Sequence, residues 1–359
     1  MHRRDAMART ILKLVKPKNL VWFAAGTGAL VDLRARVPDL DDPATGATWD
    51  AARTVPAELL VELLVGARPP LKGGQLRAVR LRGARITGQL NLEAATLVCP
   101  LLLQDCHLER PVYLNEAHAP VIRLLGCHLP GLTADQLETR GNLVLDRISA
   151  TGEVRLLGAH IGGQLSFNGA SLTNPDGPAL NADGLTVDQG VFCREGFIAD
   201  GEVRLIGAHI GGTLEFDGAR LTNPNGRALN ADRLTVDEDM YCRQGFTAQG
   251  GIRLLGGHIG GILEFDGARL TNPNGRALNA KLLTIDQSML CQEGFTAVGE
   301  VCLLDARVGG QLSFNGASLS DPKQLALHLE GVQAAALFLR PHQRPEGTVN
   351  LTNARVGSF

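Results

Sequence analysis

The chain has 359 residues, with 35 Lys and Arg against 37 Asp and Glu, so its formal net charge is only −2. This balance excludes the strongly charged surface by which many proteins attract nucleic acids or membranes. Its apolar stretches are shorter than the ~18 residues that a membrane-spanning helix needs. A cleavable secretory signal is not apparent, so we expect a cytoplasmic protein.

The first 75 residues are predicted to form a tail and a cap. Residues 1–18 are basic and are expected to be a solvated tail, with a weak membrane-surface anchor as the alternative. Residues 19–75 form the predicted N-terminal cap, which begins with a helix over 20–25 and a strand over 29–34. The polar stretch 37–49 is predicted to be a loop.

A second helix is expected in the cap. Thr54 is placed to cap it and Pro56 to start it, because proline is favoured in the first turn. One face of this helix carries the leucines Leu59, Leu60, Leu63 and Leu64. Terminal elements of a repeat array must cover its core, so the helix is expected to plug the array that follows.

Residues 76–359 are predicted to be one β-helix, built largely from a repeat of 49 residues. Full copies occupy 153–201, 202–250 and 251–299, and a partial copy begins at 300. The equivalent apolar positions are Ile161, Ile210, Ile259 and Val308. A period this regular indicates a repeat architecture.

Within each copy, apolar residues recur at a spacing of two, which is typical of one face of a short strand. Leu156, Ile161, Phe167 and Leu172 are the predicted inward residues of one coil. Such short strands can wind a solenoid in which each coil hydrogen-bonds to the next. A four-faced coil needs about 22 residues at this strand and turn length, so each copy is predicted to hold two coils plus a protruding loop at 173–178.

Two segments depart from this regularity. Residues 131–147 are predicted to include a bulge, and residues 325–340 either one more coil or a short helix. The final residues continue the repeat pattern, and uncovered sheet edges tend to pair. We therefore expect this end to dock onto a second copy, a partner or a missing segment of a longer protein; a homodimer through the C-terminal coil would bury Val356 and Phe359.

The seven cysteines are interpreted as buried small hydrophobic residues. Cys193, Cys242 and Cys291 share one register, and two coils separate such positions by roughly 9–10 Å. That spacing exceeds the ~7 Å limit for a disulfide. The same interpretation is given to Cys99, Cys106, Cys127 and Cys302. Metal or redox use is the alternative for all seven.

Three histidines form an outward column beside the inward isoleucines. They are His160, His209 and His258, and Arg307 continues the column. At two-coil spacing adjacent imidazoles cannot share a metal ion, since ligands lie ~2 Å from the ion. A solvated ladder is therefore predicted.

Two other outward patterns recur. The acidic one comprises Glu215, Asp217, Glu264 and Asp266. Arg220 and Arg269 are the expected counter-charges. The other comprises Asn181, Asn230 and Asn279, whose amides are expected to stack along the axis.

Gly26 and Gly28 begin like a dinucleotide-binding motif. They precede a predicted strand, whereas that motif joins a strand to a helix. We therefore predict that the chain has no catalytic, cofactor-binding or metal-binding residue set, and no cofactor.

The repeat resembles that of the pentapeptide-repeat proteins, whose unit places a small residue two positions before Leu or Phe. Matching units occur at 83–87, 158–162, 169–173 and 218–222, as in Gly158-Ala159-His160-Ile161-Gly162. The resemblance implies a right-handed quadrilateral β-helix. Alternate units here are six or more residues long, so a less regular cross-section is expected.

A second resemblance covers most of the chain. The segments 21–33, 46–49, 53–58 and 80–88 are similar to an actinobacterial group labelled membrane-associated oxidoreductase. Members of that group usually continue into a membrane-spanning C-terminal part, which this sequence lacks. The resemblance implies that membrane association would depend on such a part.

The favoured hypothesis is a non-catalytic scaffold or protein-interaction module with an unknown protein partner. The alternatives are an oxidoreductase, as the group label implies, and a DNA mimic that protects topoisomerases, as known for some pentapeptide-repeat proteins. Mimicry needs a strongly acidic rod, and a net charge of −2 argues against it. No nucleic acid is expected as a partner.

Overall fold

A computed structural model describes residues 16–70 and 74–358, without the side chains of residues 322 and 323. Most of the predicted tail, residues 71–73 of the predicted cap, and Phe359 lie outside this range. The chain forms a right-handed parallel β-helix of about 12 turns with a small helical N-terminal cap, and only 9% of it is helical. The predicted fold class is therefore confirmed.

Each complete coil has four strand segments, which stack into four faces that pair in parallel along the axis. The first face is formed by His118–Ala119, Glu138–Thr139, His160–Ile161, Thr186–Val187, His209–Ile210, Thr235–Val236, His258–Ile259, Thr284–Ile285 and Arg355–Ser358. The second face is formed by Val31–Asp32, Val79–Arg82, Leu101–Gln104, Ile122–Leu125, Leu143–Val144, Leu165–Ser166, Val191–Phe192, Leu214–Glu215, Met240–Tyr241, Leu263–Glu264 and Met289–Leu290. The strands Arg307–Ser313 and Gln333–Phe338 run through both of these faces.

The third and fourth faces merge along the rod. At the N-terminal side the third face is formed by Thr54–Pro56, Arg85–Thr87, His107–Leu108, His128–Leu129 and Ser149–Ala150. The fourth is formed there by Val112–Tyr113, Leu132–Thr133 and Val154–Arg155. Longer strands then run through both faces: Ser171–Asn181, Ile198–Arg204, Arg220–Asn230, Thr247–Arg253, Arg269–Asn279, Thr296–Cys302, Ser318–His328 and Glu346–Asn350.

The strand register confirms two coils in each 49-residue copy. Ile161 pairs with Val187, and Val187 pairs in turn with Ile210. The predicted inward residues are all buried, with Ile161 and Phe167 at 0% exposure. Alternation of apolar residues was therefore a sufficient guide to the core.

The core contains a column of alternating large and small side chains. Backbone hydrogen bonds place Phe167, Cys193, Phe216 and Cys242 in successive coils. The small thiols leave room for a second phenylalanine from the same coil, and Phe216 packs against Phe246 at 6.2 Å between ring centroids. This packing explains why the repeat retains a cysteine in this register.

The inserted segments are bulges within long strands, which corrects the prediction of protruding loops. Thr173 pairs with Asp200 and Pro178 with Glu202, so residues 174–177 stand opposite Gly201 alone. The Asn174 amide donates to the Pro178 carbonyl at 2.8 Å and closes the bulge. A Cβ on Gly201, which has φ +125°, would lie 2.7 Å from the Gly177 carbonyl oxygen. The bulge therefore needs glycine on the facing strand.

The cap has helices at Pro17–Ala25 and Ala57–Leu64. The predicted loop at 37–49 instead contains the 3₁₀ helices Pro38–Leu40 and Pro43–Thr48, followed by Ala51–Arg53. These short turns form because Pro38 and Pro43 preset a helical φ at their starts.

Two predictions about the second cap helix have different outcomes. Thr54 does not cap it, because Thr54 lies in a strand and its hydroxyl donates to the Asp50 carbonyl. The four leucines, however, are buried and belong to the same core as the coils. The helix therefore packs its apolar face onto the solenoid as expected.

Residues 131–147 are regular, with strands at Leu132–Thr133, Glu138–Thr139 and Leu143–Val144, so the bulge predicted there is wrong. Residues 325–340 adopt the coil alternative. Within the described ranges, no helix is both long and apolar enough to cross a bilayer.

Candidate functional site

The outward side chains of the β-helix form ladders, and the histidine column is one of them. His160, His209 and His258 point outward as predicted. Each contacts an aspartate of the next coil, as in the His160 Nε2 to Asp188 Oδ1 contact of 2.8 Å and the His209 to Asp237 contact of 3.0 Å. Threonines of the intervening coils separate the histidines, as Thr186 separates the first two. The column is therefore a series of solvated pairs.

A second ladder combines aromatic, arginine and acidic side chains, and we call it the aromatic–arginine strip. It consists of Phe192, Arg194, Glu215, Tyr241, Arg243 and Glu264. Its axis lies on the second face, where Phe192 pairs with Glu215, Glu215 with Tyr241, and Tyr241 with Glu264. Four consecutive coils therefore present aromatic and acidic side chains in alternation.

Two arginines cover this column. The Arg194 guanidinium lies 4.6 Å from the Phe192 ring centroid, and that of Arg243 lies 3.8 Å from the Tyr241 ring. Arg194 also pairs with Glu215 at 2.9 Å. Each arginine therefore stacks on a ring of its own coil and bonds a carboxylate of the next.

The counter-charges predicted for the acidic columns are therefore wrong. Arg243 pairs with Asp217 at 2.9 Å and with Glu264 at 3.3 Å. Arg220 and Arg269 begin long strands on the third face and do not lie in the strip. Proximity in sequence was misleading, because the chain turns a corner between Asp217 and Arg220.

Partial burial within the strip shifts two pKa values. Burial and a 2.7 Å hydrogen bond from the Tyr241 hydroxyl to Asp239 raise the pKa of Tyr241 to about 12. Burial also raises the pKa of the Glu264 carboxyl, although the Arg243 charge opposes the shift. Both shifts reflect the partial burial of these groups within the strip.

Shallow depressions flank the strip. One of about 440 Å³ is lined by Arg194, Glu195, Glu215, Asp217 and Arg243. Another of about 350 Å³ is lined by Asp188, Phe192, Thr213, Glu215 and Glu238. A separate groove of about 830 Å³ follows the corner beside His118, Glu138, His160 and Asp188.

The predicted asparagine stack is not formed. Asn181, Asn230 and Asn279 lie in one column, but arginines of the intervening coils separate them, as Arg204 pairs with both Asn181 and Asn230. These arginines bond aspartates, as in the 2.5 Å contact from Arg204 to Asp183.

All seven cysteines are buried and free. Burial raises the pKa of Cys193, Cys242 and Cys291, which is typical of inert core thiols. Cys302 differs, because it continues the outward Arg and Asn column rather than the core column. It lies beside Glu300 and His328, and the three ligand atoms are within 4.8 Å of one another.

The glycine pair near the N-terminus has a structural explanation. Gly26 is the C-cap of the first helix, and Gly28 has φ +73° in the turn that follows. The segment thus joins a helix to a strand, in the reverse order of a dinucleotide-binding turn.

Sequence reasoning missed both the strip and the cluster at Cys302. The first was visible as an aromatic–Cys–Arg triplet at 192–194 and 241–243, and the second as Cys and His at positions that hold Arg and Asn in earlier copies. Protein-family models give no match to this chain, and neither curated proteins nor solved structures match it.

Proposed function

We propose that this chain is a non-catalytic β-helical scaffold that binds a protein partner through the aromatic–arginine strip. The observation that carries the proposal is the stacking of Arg194 on Phe192 and of Arg243 on Tyr241, side by side on a continuous sheet. Arginine and tyrosine are among the residues that most often dominate binding energy at protein interfaces.

The rigidity of the surface supports this role. Phe192, Glu215 and Tyr241 lie on strands whose neighbours pair on both sides. The guanidinium groups of Arg194 and Arg243 already bond the carboxylates of Glu215 and Glu264. Little side-chain entropy therefore remains to be lost on binding. A preformed surface of this kind favours a partner whose charged groups complement those of the strip.

The charge of the strip indicates what that chemistry is. The two depressions beside it are lined by five carboxylates, Asp188, Glu195, Glu215, Asp217 and Glu238, against the two guanidinium groups of Arg194 and Arg243. Complementary potentials steer association and select partners. The partner is therefore expected to present a cationic segment to the strip.

The narrower resemblances remain hypotheses and are independent of this proposal. The parallel β-helix agrees with the similarity to pentapeptide-repeat proteins. Membership of the actinobacterial group, together with its oxidoreductase label, is a hypothesis that rests on the sequence segments alone.

The test compares affinity capture from a native lysate by the wild type and two variants. Tyr241→Ala with Glu215→Lys alters the strip. Ile198→Ala with Asp200→Lys makes matched changes on the third face, where Ile198 is 36% exposed. A specific partner is expected to be lost from the strip variant and retained by the control, with about 30-fold weaker binding of the purified partner, as for a hot-spot loss of about 2 kcal/mol.

Three outcomes count against the proposal. One is a partner that binds both variants as tightly as the wild type. The other is self-association as the only interaction detected, which would favour a homodimer instead. Binding that is independent of salt would also contradict the expected cationic segment, because exposed charge pairs are screened.

A further inference from the structure

The fourth copy of the repeat changes its chemistry at two positions that contact each other. The outward column on the fourth face reads Arg155, Asn181, Arg204, Asn230, Arg253 and Asn279 in successive coils. Cys302 and His328 then occupy the next two places. Both changes introduce residue types that commonly bind zinc in proteins.

A third change accompanies them. Arg204 and Arg253 bond Asp183 and Asp232 of the preceding coil. The position equivalent to these aspartates below Cys302 is Lys281. Both members of the salt bridge, the arginine and its aspartate, are therefore replaced in the coils around Cys302.

The distances within the cluster match those between the ligands of one small ion. Cys302 Sγ lies 3.9 Å from His328 Nδ1, and His328 Nδ1 lies 3.2 Å from Glu300 Oε1. Around a tetrahedral Zn²⁺ with ordinary bond lengths, the S-to-N and N-to-O separations are about 3.6 Å and about 3.3 Å. Both measured separations therefore lie within a few tenths of an ångström of these values, and all three ligand atoms lie within 4.8 Å of one another.

The surrounding side chains orient the ligand atoms. His328 Nε2 lies 3.3 Å from Glu330 Oε2, so Glu330 would accept the Nε2 proton of a metal-bound imidazole whose Nδ1 faces Cys302 and Glu300. Arg276 donates to Glu300 Oε2 at 2.8 Å, which leaves Oε1 facing the same point. A carboxylate behind the histidine is the usual second shell of a protein zinc site.

The cluster is also enclosed. Cys302 is 0% exposed and Glu300 8% exposed. Burial raises the pKa of the Cys302 thiol.

We propose that Glu300 Oε1, Cys302 Sγ and His328 Nδ1 bind one divalent ion of the zinc class. This inference is independent of the proposed partner-binding role. The mixed sulfur, nitrogen and oxygen set selects Zn²⁺ or Co²⁺ over Mg²⁺ and Ca²⁺, which prefer oxygen alone. Three protein ligands leave a fourth position for water. Binding converts the Cys302 thiol to a thiolate and releases its proton to solvent.

The test is a Co²⁺ titration of the full chain after treatment with a chelator. One ion per chain is expected, with a thiolate-to-cobalt charge-transfer band and the visible bands of tetrahedral Co²⁺, both displaced by Zn²⁺. The histidine column on the first face offers no sulfur, so it cannot produce the charge-transfer band.

Three variants separate the site from other causes. Cys302→Ser should abolish the band and weaken binding at least 10-fold, whereas Cys291→Ser, a buried core cysteine, should leave both unchanged. A triple variant with Cys302→Arg, His328→Asn and Lys281→Asp restores the residues of the second copy, so it should fold and lose the ion.

The proposal is overturned if cobalt binds without the sulfur band, or if Cys302→Ser binds as tightly as the wild type. It is likewise overturned if the triple variant retains the band while its circular dichroism spectrum matches that of the wild type. Glu330→Gln provides an independent check, since loss of the second-shell carboxylate should weaken binding about 10- to 100-fold.

Discussion

Replacement of Gly250 by alanine tests the account of the bulges most directly. Gly250 faces the bulge at 223–226, and its φ is +113°. An added Cβ would overlap the Asn223 carbonyl oxygen and lie 3.1 Å from the Ala228 nitrogen. Both obstacles are backbone atoms, so the bulge itself must move to accommodate the methyl group.

A matched control exists in the preceding turn. Gly245 also has a positive φ, +85°, but an added Cβ would meet nothing within 4 Å. The control therefore carries the conformational cost alone, about 1–2 kcal/mol. Gly250→Ala adds the loss of the 2.9 Å bond from the Asn223 amide to the Arg227 carbonyl and of pairing beside the bulge. At about 1 kcal/mol for each lost bond, the expected total is about 3–5 kcal/mol.

The free energy of unfolding would be measured by urea titration with circular dichroism. Repeat arrays can unfold in parts, so amide exchange at Thr222 and Gly251 should be followed as well. Those amides should lose protection in Gly250→Ala and keep it in Gly245→Ala. Equal destabilisation by the two variants, within ~0.5 kcal/mol, would refute the reasoning.

Two other predictions follow from the core and the strip. Phe265→Ala should lower the free energy of unfolding by about 3–5 kcal/mol in urea titration, because Phe265 is 0% exposed and packs against Phe295 at 6.2 Å; a loss below 1 kcal/mol would contradict the packing. The raised pKa of Tyr241, about 12 against an ordinary value of about 10, means that folding favours the neutral phenol. This contribution is fully present below about pH 10 and is lost as the pH rises through about 12, so the wild type should lose more stability over that interval than Tyr241→Phe; equal losses would contradict the shift.

The sequence was sufficient to predict the architecture because the apolar residues of each repeat copy occupy the inward positions of the coils. Apolar residues at a spacing of two identified inward positions such as Ile161 and Leu172, and both are fully buried. The 49-residue period combined with the length of a four-faced coil led to two coils per copy. These inferences need only local geometry and strand spacing.

Partners across coils were harder to predict, because they depend on register. Arg243 contacts Glu264 21 residues ahead and Asp217 26 residues behind. Arg220, only three residues from Asp217, turns onto another face. The bulges were misassigned for a related reason. Asn-Pro and Asn-Gly pairs indicate a turn, but they cannot show that strand pairing continues on both sides of the insertion, with Gly201 opposite it.

Cys302 and His328 illustrate the same limit at the candidate metal site. They are 26 residues apart in sequence and adjacent only through the pairing of two coils. The replacement of Arg by Cys302 and of Asn by His328 is nevertheless visible when the sequences of the copies are aligned. A break in a repeat is therefore a useful indication of specialised chemistry, provided that its register is known.

The same comparison between copies shows which contacts of the strip recur in every full copy and bears on its proposed role. In three copies the backbone amide after the core cysteine bonds a side chain of the preceding coil: Arg194 to Asn168, Arg243 to Asp217, and Gln292 to Asp266. Gln292 preserves this bond without a guanidinium group, and the residue before its cysteine is Leu290 rather than an aromatic residue. The β-helix thus continues through the third copy without a stacked arginine. Because the fold does not require that arginine, its presence over Phe192 and Tyr241 favours a role in recognition, confined to the coils where the acidic depressions lie.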